Sequence, residues 1–199
     1  MTTSTGTRFL DYPAARQRMA EIIVEASRDP ELIDFAIANV QNVATGDYPS
    51  EAAALAAIVR DCVRYTSDVS GEDLYKWPML TLRQLAGDCN NKVLLFGALA
   101  RAVGFPVRCC FLFTTANPDL EHDFPAHVFA AVDTYKGERP TAQWVPVELT
   151  PIPDKVNGFP SRALPFGSLP PIAGQYVDCY DVDQVAAAGD AMRFEVGRA

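Results

Sequence analysis

The chain has 199 residues, 49% of them hydrophobic, and a formal net charge of −8 from 17 basic and 25 acidic side chains. Such apolar content supports one substantial core and excludes a disordered or fibrous chain. The acidic balance, with Lys and Arg scattered rather than gathered in a basic tract, excludes a nucleic-acid partner gripped through its phosphates.

One domain is expected over residues 1–199: N-terminal helices over 1–49, a core over 50–151 and an irregular wrap over 152–199. Residues Met1 to Tyr12 lack a charged start followed by an apolar stretch, and no run is long enough to span a bilayer, so neither a signal peptide nor a membrane anchor is expected. Helical spacing follows in Pro13 to Arg28, through Ala14, Met19, Ile22, Ile23 and Ala26. It recurs in Pro30 to Ala44, through Leu32, Ile33, Phe35, Ala36 and Val40. A third helix is expected from Ser50, as N-cap with Glu51 in its first turn, to about Tyr65, with Cys62 on its core side. Between Thr66 and Leu85 the period lapses, and Asp68, Gly71, Asp73 and Pro78 predict a long loop. Trp77 in that loop is a candidate wall of a substrate groove, or simply an aromatic covering the core, and Tyr75 is read the same way.

The segment from Leu85 to Gly104 joins a turn, a thiol and a helix that is apolar on almost every side. Gly87 suits a turn, Asp88 an N-cap and Gly104 a left-handed stop, which places Cys89 in the first helical turn. There the positive end of the helix dipole favours a thiolate, the attacking species, and the unpaired first-turn amides, that of Cys89 included, can receive an oxyanion. Because residues on every side from Val93 to Val103 are apolar, the helix is expected at the centre of the fold, its start opening into a cleft. The alternative is a cysteine buried as a small hydrophobe.

Beyond Gly104 the period becomes that of strands: Val107 to Thr114, Ala126 to Tyr135 and Ala142 to Leu149, joined by turns at Asn117-Pro118-Asp119 and Gly137, with a short edge strand at Gln175 to Tyr180. The fold class is therefore α+β, with helices first and an antiparallel sheet after them. The five cysteines are an odd number, and Cys109 and Cys110, adjacent on one strand, should face opposite sides; a reducing cytoplasmic setting is expected.

Of the two histidines, His122 lies in an acidic loop and His127 in a strand. Alternation places His127 with Phe129, and groups Trp144, Pro146 and Glu148 on the next strand; in a hairpin His127 would lie opposite Glu148. A nucleophile at a helix start, an imidazole to take its proton and a carboxylate to orient the imidazole are the parts of thiol-based acyl transfer. Asp88, Asn90 and Phe129, next to Cys89 and His127, join Trp77 as candidate substrate-binding residues. Asp133 and Asp123 are the alternatives to Glu148. A metal site drawn from Cys89, His127, His122 and Cys109 is a third reading, which no paired ligand motif supports.

Gly-Asp-Cys opening an apolar helix, then Gly-Phe-Pro-Val-Arg, His-Val-Phe and Trp-Val-Pro-Val-Glu resembles the transglutaminase-like superfamily, from about Ile58 to Pro151 and in the manner of a small bacterial or phage member. The resemblance implies a papain-like fold and a cysteine protease, crosslinker or amidase chemistry. It implies Cys89 as nucleophile, His127 as base and then acid, and Glu148 where the family usually carries Asp. It requires no cofactor or metal, and implies a peptide or protein substrate as partner. Asn90 and Asn91 also depart from the pattern, since acidic residues are common after the cysteine. From another class comes a catalytically silent scaffold that keeps the fold and binds a protein partner.

Overall fold

The computed structural model describes residues 11–67, 74–150, 164–169 and 175–188. Five helices precede the main sheet: α1 (Tyr12–Ala26), α2 (Pro30–Val40), α3 (Tyr48–Cys62), α4 (Pro78–Gln84) and α5 (Cys89–Ala102). The strands are β1 (Arg64–Tyr65), β2 (Ala86–Gly87), β3 (Val107–Phe113), β4 (His127–Asp133), β5 (Trp144–Val147) and β6 (Tyr176–Asp181). The first three helices share one start signal. Asp11, Asp29 and Asp47 each accept an orphan amide while Pro stands in the first turn.

The bounds of two expected helices and one loop change: α2 stops at Val40 rather than Ala44. Asp47, not Ser50, caps α3, because its carboxylate reaches the Ser50 amide. The core side of α3 is Ala52, Leu55, Ala56 and Val59, and the helix ends at Cys62, whose side chain is exposed rather than in the core. The expected long loop contains α4, which Pro78 begins rather than breaks, and which ends at Leu85 in a left-handed conformation, φ 50°. Asp68, Gly71 and Asp73 lie outside the described residues, as does most of the expected wrap; residues 182–188 within it are helical.

Helix α5 is the axis of the molecule, buried continuously from Asn91 to Ala100. It packs on α1, α2, α3 and α4 and, on its other side, on β3 and β4. The main sheet is antiparallel in the order β5-β4-β3-β6, so β6 is an edge strand, as expected. Its inner face sends Val107, Cys109, Phe111, Val128, Ala130, Val132 and Val147 into the core with α5. Cys110, Phe129 and Ala131 form a smaller cluster of the opposite parity, with Trp144 and Val177 against it. Cys109 and Cys110 therefore do face opposite ways. Cys110 is opposite Cys179 in the β3–β6 ladder and is joined to it in a disulfide. Among the described residues this leaves Cys62, Cys89 and Cys109 free, so the odd count conceals a pair and gives no support to a reducing compartment. No helix among the described residues is long and apolar enough to cross a membrane.

Candidate active site

The start of α5 is fixed from three directions. β1 and β2 pair in parallel just before it, with Thr66 donating to the Gly87 carbonyl at 3.0 Å. Asp88 caps the helix as expected, accepting the Asn91 amide at 2.8 Å. The buried Asn91 side chain in turn accepts the Lys76 amide at 2.7 Å. Gly87 is required, but for space rather than for its backbone angles. A Cβ there would lie 2.8 Å from the Cβ of Asn91 and 3.3 Å from Cγ2 of Thr81. Gly104, φ 91°, is the left-handed stop that the sequence suggests.

These constraints place Cys89 half-buried at the floor of a cleft of about 230 Å³. Asp88, Cys89 and Asn90 supply one wall, and Ala126, His127 and Val128, at the beginning of β4, the facing one. Tyr65, Tyr75, Phe111 and Phe124 add aromatic surface, beside Ala15, Ser67 and Pro125. Through Nε2 the His127 ring bonds with Oε2 of Glu148 at 2.8 Å, which leaves Nδ1 as the nitrogen for Cys89, the thiol that shares the cleft lining with it. Glu148 is one residue past β5, its carboxylate fully buried. Its other oxygen accepts the Thr150 amide at 2.8 Å.

Burial alone would make the His127 ring shed its proton more easily. Interaction with the Cys89 thiol, the bond with Glu148 and the charges of both outweigh that and raise its pKa to about 10. The ring therefore holds its proton near neutrality. The arrangement is a thiol, an imidazolium and a carboxylate in line, which suits a nucleophile activated as an ion pair.

Of the expected site residues, Cys89, His127, Glu148, Asp88 and Asn90 come together, but Phe129 and Trp77 do not line the cleft. Phe129 shares the parity of His127, yet the cleft lies at the start of β4 and two residues along is already ~7 Å away; its ring is buried with Cys110 and Ala131. Trp77 precedes α4 and packs on the main core. Asp133 serves the far end of β4, where its carboxylate accepts the amides of Tyr135, Gly137 and Gln143. Asp123 is exposed and accepts the Asp119 amide, so Glu148 alone of the three candidates meets His127. The groups of the metal reading are scattered: His122 is exposed and paired with Asp119 at 2.9 Å, and Cys109 is buried beside Tyr180, its thiol pushed up to about 12 by burial. Tyr65, Phe111 and Phe124 carried no sequence signal, because apolar type alone does not tell cleft from core. Lys92, fully buried, had one, as a charge set directly before the uncharged run Val93–Ala100.

The profile of the Transglutaminase-like superfamily matches residues 36–149, more than half of the 199-residue chain. The chain belongs to the transglutaminase-like superfamily. The match spans α3, α5 and strands β3 to β5, and so takes in Cys89, His127 and Glu148. No curated protein matches the chain. Among solved structures, a proposed protease from Parabacteroides distasonis ATCC 8503 superposes with a TM-score of 0.53 at 12% identity, over 72% of this chain and 32% of that one. A proposed cysteine protease from Cytophaga hutchinsonii gives a TM-score of 0.41 at 19% identity, over 76% of this chain and 50% of that one. The first establishes a shared fold, helices packed on an antiparallel sheet as in the papain and transglutaminase-like proteins. The chain spans about a third of the length of the Parabacteroides protein and half of the other.

Proposed function

We propose that this superfamily member is a cysteine-dependent hydrolase or acyltransferase acting on peptide or side-chain amides through a thioester on Cys89. The observation that carries this reading is His127, half-buried in the cleft lining with Cys89 and bonded to the buried carboxylate of Glu148. In the first step the Cys89 sulfur attacks the amide carbon, and the carbonyl π electrons move to oxygen, where the Cys89 amide is the expected donor. As the intermediate collapses, the C–N bond breaks and the His127 imidazolium gives its proton to the departing amine. Water, or an amine in an acyltransferase, then attacks the thioester, His127 takes the proton of the attacking group, and the Cys89 sulfur leaves. Glu148 holds the ring in the tautomer and orientation that both steps use.

Digestion of a peptide library by the wild type and by Cys89→Ala, read by mass spectrometry, tests the proposal. Cleaved or crosslinked products should form with the wild type and be absent with Cys89→Ala at equal folding. Products that persist in Cys89→Ala would overturn it, and a wild type without products would favour a silent scaffold that binds a protein partner.

A further inference from the structure

Three residues after Cys89, and so a neighbour of it on the surface of α5, Lys92 has no exposed surface. Its ammonium donates to the Leu149 carbonyl at 3.0 Å and to the Arg60 carbonyl at 3.3 Å. The first of these belongs to the residue directly after Glu148, the second to the last turn of α3. Among the described residues its direct partners are thus two carbonyls, and its attraction to the carboxylates of Asp61 and Glu148 acts at longer range, against repulsion from Arg60. Removing an ammonium from water is costly, and a methionine of similar shape would fill the same space without that cost. The position of the charge suggests what it does. It ties down the short segment that carries Glu148 just where that segment leaves β5 and loses its ladder bonds.

We propose that Lys92 is a positioning residue of the site: its ammonium anchors the backbone just past Glu148 to the last turn of α3 and so holds the carboxylate against the His127 ring. The proposal rests on the assignment of Cys89, His127 and Glu148 given above. Loss of the cation lets Glu148 drift and weakens its support of the imidazolium. The Cys89 thiolate, which forms as the partner of that imidazolium, then forms only at higher pH.

The test is the pH dependence of Cys89 alkylation by iodoacetamide, followed by peptide mapping in wild type, Lys92→Met, Glu148→Gln and the double variant. Lys92→Met should slow alkylation of Cys89 near neutrality about tenfold and move the rise of the profile up by about one pH unit. In the Glu148→Gln background it should add no further shift, because it acts through that carboxylate. A lysine that served only stability would lower the melting temperature and leave the profile of the folded protein unchanged. That outcome, or a full additional shift in the double variant, would overturn the proposal. Should Lys92→Met not fold, a titration of the nitrogen-15-labelled ammonium of Lys92 in wild type and Glu148→Gln decides: its midpoint should fall when the carboxylate is neutralised, and an equal midpoint would contradict the link. Alkylation of wild-type Cys89 at the rate of an ordinary thiol is a different failure, visible before any Lys92 variant is made, and would overturn the assignment of the nucleophile itself.

Discussion

His127 carries a proton that the fold itself maintains, which makes the site visible in stability as well as in rate. The ring titrates at 6.5 when free and at about 10 in the folded chain. Between those values the folded state holds a proton that the unfolded state has lost, so this group's contribution is full below pH 6.5 and is lost as pH rises through 10. Lys92 works in the opposite sense, since burial lowers its pKa from 10.5 to about 8, and stability rises with pH between those values. From pH 6.5 to 8 the His127 effect therefore stands apart from it. Urea denaturation of Cys89→Ala, in which no thiol proton enters the balance and the Glu148 bond to the ring remains, should show stability falling across that window, and the Cys89→Ala/His127→Ala double variant should not; a fall that persists in the double variant would assign it to another group. At the same scale, Glu148→Gln should lower the rate by about tenfold to a thousandfold, less than Cys89→Ala does, and Glu148→Asp should recover part of it, measured as kcat/KM on any substrate from the library. These residues are legible in the sequence because the chemistry needs rare types in fixed order. Phe129 and Trp77 were not, because an aromatic ring signals an apolar contact and not the surface it faces: the fold buries Phe129 and packs a partly buried Trp77 on the main core.

The helix that presents Cys89 depends on close packing at its first turn. A Cβ at Gly87 would meet the Cβ of Asn91, which belongs to the helix itself and cannot swing aside. Gly87→Ala should therefore cost about 1–3 kcal/mol in urea denaturation and disturb the Asn91 bond to Lys76 that seats the loop. An unchanged urea midpoint would show that α5 shifts without cost. The long helices are legible through their 3.6-residue period, and their starts through Asp followed by Pro in the first turn. Helix α4 is not, because its seven residues hold less than two full turns of pattern and its opening proline reads equally well as a break. Glu148 is an intermediate case. Alternation sets it beside His127, but the ladder of β5 ends at Val147, and the carbonyl just past Glu148, that of Leu149, is bonded by Lys92, a contact 57 residues apart that no local pattern encodes.

At the scale of the molecule, the inner face of one sheet and the axial helix share a core, and the site forms where the start of that helix meets the start of β4. The α+β class and the strand sequence follow from the change in period after Gly104. The neighbours of each strand do not, and with them the pairing of Cys110 with Cys179, 69 residues apart, since only the β3–β6 register sets the two opposite each other. Closing a loop of that length restricts the unfolded chain, and reduction should lower stability by roughly 2–4 kcal/mol, seen as a lower urea midpoint in reductant. The same midpoint with and without reductant would mean that the bond does not form in solution. The cleft lies at the start of β4 and takes in none of this bond's small cluster, so Cys89 should keep its reactivity in the reduced protein.

The most direct test of the central claim compares two thiols of one molecule. Cys62 is exposed at the end of α3, and Cys89 is half-buried at the start of α5. On access alone Cys62 reacts first with iodoacetamide. If Cys89 is the nucleophile paired with His127, peptide mapping near neutral pH should show it alkylated at least about tenfold faster than Cys62, with the advantage lost in His127→Ala. Alkylation of Cys62 as fast as Cys89 in the wild type would contradict the account.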